Sequence, residues 1–502
     1  MKDNIGNIIA GLILIFGLTA CYEDKGSYDY TPLPDVQMDN LLETYSVTQF
    51  DTLKINPDVD LGGIENVTYS WRIWSDALAG SEFIQLSDQK ELKCQVSEVP
   101  GSYTMVFSIS DAKRNVNVYK SMKLKVQGVV TDGWMVLHEK DGKSDFDLLI
   151  SPFFTNKAQK DLRFTGMYES VNGEPLAGGR GVRISSYFTG NFQYVYIMTE
   201  NAGVRLSAIN MQKMSDLSSL ILDGKPLKPV NYSFIPWGSM GYFTEEVISD
   251  GRFYMSMFGD NLFTEPVLMN GMTYEAAPYM PRWLAWGMRG VIYDQLHGRF
   301  LMVVNNIMNF QSMTPTAGSL FDWNNMEAHL VYLESGFNKY EYAVMEDWTT
   351  HERTLCVIDF ISEGGTYAIA EYSTAGCPEF AKADCFAIGG RGNVFYYSFG
   401  NKIYLYDYSG TNSAKLIKEM SADEVITHLE LQKPNEGYYM KNHPFDNKVL
   451  TVATYNEKTG EGKVYMYYVN EANGIMDLAS EKVWKGFGRI IDMEFNYAKY
   501  GS

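Results

Sequence analysis

The sequence predicts an all-β chain: a small β-sandwich over residues 36–127, then a β-propeller of about seven blades over residues 128–502. Three observations carry this. Short segments alternate apolar and polar positions, the period of a half-buried strand, with Gly and Pro punctuating them densely. Beyond residue 128 the strands recur in clusters at ~40–50 residue spacing, the period of a four-stranded blade. The last strand, Arg489 to Phe495, has no blade of its own. It is expected to pair with the strands at 133–151 and close a ring, which removes free sheet edges.

The chain opens on Lys2 and an apolar run from Ile8 to Phe16, interrupted only by Ala10 and Gly11, and reaches Leu18-Thr19-Ala20-Cys21. A cationic start, an apolar run and small residues before a break describe a secretory signal. The run falls short of the ~20 residues that span a bilayer. The four-residue box resembles the lipobox of bacterial lipoproteins, whose cysteine is lipidated and becomes the new N-terminus. That resemblance implies a signal peptide over 1–20, lipid attachment at Cys21, and a lipidated tether over 21–35. Pro32 and Pro34 keep the tether irregular, and an acyl chain would hold the body at a bilayer surface. The polar, acidic and aromatic stretch Tyr22 to Tyr30 resembles the start of the PKD-like surface lipoproteins of Bacteroidetes. Its acidic residues resemble the surface-export signal of that phylum.

Strand patterns fill 36–127: Thr52 to Ile55, Val67 to Trp74, Ser102 to Ile109 after Pro100-Gly101, and Met122 to Val126. Tyr69-Ser70-Trp71 and Gly101-Ser102-Tyr103-Thr104 resemble the PKD version of the immunoglobulin-like sandwich, which implies that Trp71 packs in the core. Asp51-Thr52-Leu53 resembles the short O-glycosylation acceptor of Bacteroidetes. Gln127-Gly128 marks the boundary. Propeller strands follow at Trp134 to Leu137, Asp147 to Ile150, Tyr194 to Met198, Arg252 to Met257, Arg299 to Val304 and Val394 to Tyr397. Gly400 to Tyr406 and Gly462 to Tyr467 align with each other: a turn, a lysine, then alternating aliphatic and Tyr positions.

Composition narrows the partners. The net charge is −19 over 502 residues. An acidic body repels phosphate backbones, so nucleic acid is not expected as a partner. Cys94, Cys356, Cys377 and Cys385 remain beside Cys21. Cys94 and Cys356, in strand-like surroundings, read as buried free thiols. Cys377 and Cys385 are near enough in sequence to pair across a loop, and spacing does not fix whether they do. Neither a CxxC motif nor a Cys/His cluster suggests zinc.

Chemical motifs are sparse. HExxH, GxSxG, a Walker loop and GxGxxG after a strand are all absent from the sequence. Gly178-Gly179-Arg180-Gly181 and Gly389-Gly390-Arg391-Gly392 read as turns rather than phosphate cradles, because neither opens a helix. The six histidines, His138, His297, His329, His351, His428 and His443, show no ligand spacing. Glycoside hydrolysis needs two carboxyl groups at a set separation; Glu245, Glu246, Asp294, Glu346, Asp347 and Asp384 are candidates that no motif marks. Aromatic loops are the better signal. Trp237, Trp283, Trp323 and Trp348 sit between predicted strands, where a flat ring can stack on a sugar or pack between blades. These four are the candidate ligand-binding residues. No catalytic residue, metal site or cofactor is assigned.

The expectation is a surface-exposed outer-membrane lipoprotein with a PKD-like sandwich carrying a propeller. It resembles the PKD-like lipoproteins that accompany TonB-dependent transporters and their lipoprotein lids. That resemblance implies a non-catalytic accessory holding a glycan or glycoconjugate near the transporter, with the sandwich as spacer. Three other readings stay open. A glycan-cleaving propeller would bring paired acids into one funnel. A protein-interaction scaffold would show a broad aromatic face. A binder of metal chelates or haem would need cationic or His residues around the funnel.

Overall fold

The computed structural model describes residues 35–76, 82–128, 132–188, 193–222, 228–237, 242–256, 262–285, 288–304, 309–313, 315, 317–362, 367–434 and 442–497. The chain separates into two compact units. One comprises the described residues up to Tyr45 with Lys54–Lys93 and Tyr103–Lys123; the other comprises Ser46–Leu53, Cys94–Ser102 and the chain from Leu124 on.

The N-terminal strands form a five-stranded sheet in the order Thr44–Thr48, Val116–Gln127, Gly101–Asp111, Thr68–Ser75, Ile84–Ser87. Two strand pairs accompany it: Gln37–Asp39 with Asp58–Asp60, and Thr52–Ile55 with Leu92–Gln95. Alternation sorts the faces. Trp71, Ile73, Met105 and Phe107 are fully buried, while Arg72 between them is exposed. The Trp71 ring stacks on Phe107 at 4.3 Å, and its Nε1 donates to the carbonyls of Gln89 and Lys90 at 3.1 and 3.2 Å. The indole is thereby buried with its one polar atom satisfied, as a core Trp requires.

Residues 133–496 form seven antiparallel sheets, five of four strands and two of three. From the centre outward, blade 1 is Arg489–Asn496, Gly133–Lys140, Lys143–Ile150 and Leu162–Phe164. Blade 2 is Gly181–Phe188, Gln193–Thr199, Ala202–Ser207 and Lys213–Asp216; blade 3 is Pro229–Trp237, Tyr242–Ser249 and Arg252–Met255. Blade 4 is Met288–Asp294, Arg299–Val304 and Gln311–Ser312; blade 5 is Ala328–Ser335, Glu341–Asp347, Arg353–Ile358 and Ala368–Ser373. Blade 6 is Cys385–Ile388, Phe395–Phe399, Lys402–Asp407 and Ser413–Glu419; blade 7 is Val425–Leu431, Val449–Asn456, Glu461–Val469 and Met476–Phe487.

Seven apolar clusters join the blades in succession. Leu137 and Phe146 meet Ile184 and Val195 between blades 1 and 2. Tyr196 meets Tyr232 and Val247 between 2 and 3, and Ile248 and Phe253 meet Ile292 and Val303 between 3 and 4. Val291 and Phe300 meet Leu330 and Met345 between 4 and 5, and Val344 meets Phe386 and Phe395 between 5 and 6. Tyr396 meets Leu429 and Val452 between 6 and 7. Finally Val449 and Val464 of blade 7 meet Trp134 and Phe495 of blade 1, so the series closes on itself. Among the described residues, 133–496 form a β-propeller of seven blades. Each blade's second strand feeds two seams: in Glu341–Asp347, Tyr342 and Val344 face blade 6, and Ala343 and Met345 face blade 4. Such a strand is apolar on both faces, which is why it reads as a near-continuous apolar run.

Closure takes the expected form. Gly133–Lys140 pairs antiparallel with Arg489–Asn496, Trp134 opposite Phe495, with an irregularity at Leu137/His138. Gly488 makes this possible, because a Cβ there would lie 1.9 Å from the Glu139 carbonyl oxygen. Cys94, Cys356, Cys377 and Cys385 are all free thiols. Burial pushes Cys94 and Cys356 up to about 12, and Cys377 and Cys385 up to about 11, so these thiols stay protonated and unreactive at neutral pH.

Candidate functional site

The innermost strands approach one another around the axis: Gly181–Phe188 lies against Arg489–Asn496, and Val425–Leu431 against both Cys385–Ile388 and Arg489–Asn496. On each, alternation sends apolar residues into a seam and polar ones toward the axis. Leu429 and Leu431 join the core of blades 6 and 7, leaving His428 and Glu430. Met493 and Phe495 join that of blades 7 and 1, leaving Asp492 and Glu494. Leu333 packs between blades 4 and 5, leaving Glu334, and Ile184 packs between blades 1 and 2, leaving Arg183.

These side chains meet across blades, and in one case across blades that are not neighbours. His428 Nδ1 of blade 7 lies 3.5 Å from Asp492 Oδ1 of blade 1. Arg183 Nε of blade 2 lies 3.9 Å from Asp492 Oδ2, which also accepts the Ile184 N–H at 2.9 Å. Lys433, just past the innermost strand of blade 7, donates to Glu334 Oε1 of blade 5 at 2.6 Å and to the Ser335 carbonyl at 2.7 Å. Glu334 Oε2 in turn accepts Tyr332 Oη–H at 2.8 Å and the Ile388 N–H of blade 6 at 2.9 Å. A lysine of blade 7 reaches blade 5 only through the middle of the ring.

Electrostatics in this channel are dominated by burial. It pushes the Glu430 carboxyl well above the usual range, and the charges of Asp492 and Glu334 push the same way, against Lys433 and Arg183. Glu494 is pushed well up too, by burial and then by Glu430, with Arg282 opposing. Burial lowers His428, with Asp492 opposing. His428 Nε2 contacts Glu430 Oε2 at 3.3 Å, and burial pushes both groups toward their uncharged forms. Both side chains keep about a fifth of their surface open, 22% and 23%, so water reaches groups that protein crowds from several sides. Donors (Arg183, Arg282, Lys433) and acceptors (Glu334, Asp492) thus surround carboxyls that burial pushes toward the neutral form. Among the described residues no group of three or more His, Cys, Asp or Glu has the arrangement to hold a metal ion.

The tryptophans singled out by sequence are dispersed. Trp323 is a core residue: 1% exposed, within the seam of blades 4 and 5, its Nε1 donating to the Met313 carbonyl at 3.0 Å. It offers no face to a ligand, because the loop that carries it folds down between the blades. Trp283 is half-buried, with Lys339 Nζ over its ring at 4.3 Å. Trp348 is 36% exposed and lines, with His329, Glu275, Gln295 and Leu296, an open depression of about 510 Å³. Trp237 ends the strand Pro229–Trp237, and its side chain lies outside the described residues, as does Cys21.

The carboxylates considered from sequence serve local structure. Asp294 Oδ2 takes Arg299 Nε at 3.1 Å and His297 Nδ1 at 2.8 Å. Glu346 pairs with Arg353 at 3.0 Å, and Asp347 accepts the Thr349 and Thr350 N–H groups of a turn. Glu245 and Glu246 are buried between blades. Sequence reasoning missed Glu334, Glu430, Asp492 and Glu494. Their signal was a polar residue two positions from another on a strand that opens a blade: Tyr332 and Glu334, His428 and Glu430, Asp492 and Glu494.

No curated protein matches the chain. Among solved structures, the Myceliophteria thermophila Cps50 (Swd1) beta-propeller domain aligns with 68% of this chain and 97% of its own at 9% identity and a TM-score of 0.39. A eukaryotic initiation factor aligns with 86% of this chain and 98% of its own at 10% identity and a TM-score of 0.32. The profile of the PKD-like family matches residues 21–179, which take in the sandwich and the first three strands of the propeller.

Proposed function

We propose that this chain is an outer-membrane surface lipoprotein, anchored through Cys21, whose propeller holds a glycan or glycoconjugate for a TonB-dependent uptake system without cleaving it. A propeller joined to a PKD-like domain fits a binding or scaffold role. The observation that supports the ligand class is the axial cluster, where Arg183 and Lys433 lie with Glu334, Asp492 and Glu430, whose carboxyl burial pushes toward the neutral form, and where side chains remain partly open to water. Multiple fixed hydrogen-bonding groups of both signs match a polyhydroxylated ligand better than a strongly charged one. The anchor and the uptake partner rest on the Leu18 to Cys21 box and on the PKD-like match, which begins at Cys21.

The test is binding of full-length protein to an array of polysaccharides and glycoprotein glycans, with product analysis of each mixture. Saturable binding of at least one glycan without released sugar, weakened at least tenfold for that glycan by Arg183→Ala and by Glu334→Gln, is the expected result. Binding that neither change weakens would refute the channel as the site. A second reading, hydrolysis, has one observation in its favour: two carboxyls that burial pushes upward, Glu430 and Glu494, beside Asp492. Released sugar that disappears in Glu430→Gln would establish it instead. For the anchor, Cys21→Ala is expected to move the protein from the membrane to the soluble fraction.

A further inference from the structure

The exposed face of the N-terminal sheet carries a second depression, of about 950 Å³, confined to one unit of the chain. Its floor is polar and nearly uncharged. Ser70 stands opposite Ser108, and Thr68 opposite Ser110, across the paired strands Thr68–Ser75 and Gly101–Asp111. Two aromatic residues flank it. Tyr119, on the strand Val116–Gln127, is 69% exposed; Phe83, just before the strand Ile84–Ser87, is 55% exposed. Sheet order places these two on opposite sides of the floor, ~14 Å apart across three strand spacings.

The floor is already organised. Arg72 Nε donates to Ser70 Oγ at 3.0 Å and to Gln85 Oε1 at 3.2 Å. Its guanidinium lies over the Phe83 ring at 4.3 Å, which fixes that ring at the rim. Arg72 is thus engaged, and the other charged lining residues, Glu82 and Asp88, are both acidic. An anionic ligand would meet repulsion here, in a chain of net charge −19. A ligand with apolar ring faces and uncharged hydroxyls meets flat rings at the walls and hydroxyl partners on the floor.

We infer that this sheet face is a binding site for a segment of neutral polysaccharide, so the sandwich is a binding module rather than a spacer. The site is separate from the axial channel and does not depend on it. The test is migration of the full-length protein in native gels cast with dextran, galactomannan, xyloglucan or yeast mannan, and with alginate and hyaluronan as acidic counterparts. At least one neutral polysaccharide is expected to retard the protein. The retardation should weaken about tenfold or more in the double variant Phe83→Ala, Tyr119→Ala, and in Ser108→Arg, which fills the floor. It should persist in Arg183→Ala, which alters the channel alone. The two sheet-face variants should melt at the temperature of the parent, since Phe83, Tyr119 and Ser108 are outside the core. Retardation by none of the four neutral polymers, equal retardation by the acidic ones, or retardation that survives both sheet-face changes would overturn the inference. Loss only in Arg183→Ala would assign the binding to the channel and overturn it as well.

Discussion

Glu245 offers the sharpest test of how the propeller is held together. It lies on Tyr242–Ser249, 2% exposed, at the seam of blades 2 and 3. Tyr196 Oη donates to its Oε2 at 3.3 Å, and Tyr196 stacks on Tyr232 at 3.8 Å. Arg205 carries the facing positive charge, over the ring of Tyr194 at 4.9 Å. Burial pushes Glu245 up to about 7, despite Arg205 and the tyrosine hydroxyls that pull it down. The unfolded chain ionises near 4.5, whereas the folded protein holds its proton up to about 7. Below the lower value both states are protonated and the group contributes nothing to the pH dependence. Between the two values the folded state binds the extra proton, so stability falls as pH rises, and above about 7 the loss is complete. The difference amounts to about 3 kcal/mol. Spread over a ring of roughly 360 residues, with ~2.1 cal/mol/K of unfolding entropy per residue, that is a shift of about 4 °C. Glu245→Gln keeps the size and an acceptor for Tyr196 but cannot ionise. Melting temperatures of parent and variant, measured from pH 4 to pH 8, should therefore diverge, the variant gaining about 4 °C relative to the parent by pH 8. Other buried acids affect both proteins alike and drop out of the comparison. A difference that stays constant across that range would refute the reasoning.

Three further outcomes follow from the packing. Glu246 is wholly buried, neither of its carboxyl oxygens has a hydrogen-bond partner, and burial pushes it well above the usual range; Glu246→Met should raise stability by ~1–3 kcal/mol at pH 8, read by thermal unfolding. Trp323→Ala should cost ~3–5 kcal/mol because it empties a seam, whereas Trp348→Ala, with its ring partly in solvent, should cost about 1 kcal/mol; equal losses would contradict the assigned burial. Gly488→Ala sets a Cβ against the Glu139 carbonyl where the ring closes and should lower the melting temperature more than an alanine at open Gly400, which has nothing within 4 Å of its Cβ but a φ of +61° and so a cost of only ~1 kcal/mol.

Much of the architecture was legible because period-2 alternation and turn residues are local signals. Arg489 to Phe495 read as the ring's closing strand because a lone strand with a buried face needs a partner, and the PKD resemblance implied that Trp71 packs in the core. Burial of loops was not legible. Trp323 lies in a loop by sequence, but the seam of blades 4 and 5 swallows that loop. The axial acids were invisible for a different reason. Glu334 and Lys433 belong to different blades, and Lys433 bonds to a carbonyl 98 residues away; the Ile184 N–H bonds to Asp492 across 308 residues. Each looks like an ordinary polar residue on its own strand.

By itself the sequence determined many of the elements: that alternating segments are strands, that strands recur in blade-like clusters, and that an apolar run precedes Leu18-Thr19-Ala20-Cys21. These depend on neighbours along the chain. Only the tertiary structure decided which polar residues share the axis and which tryptophans are used up in packing. Which side chains meet there depends on the radial position of each strand and the order of the blades, quantities set by the seven seams together and recorded in no single stretch of chain.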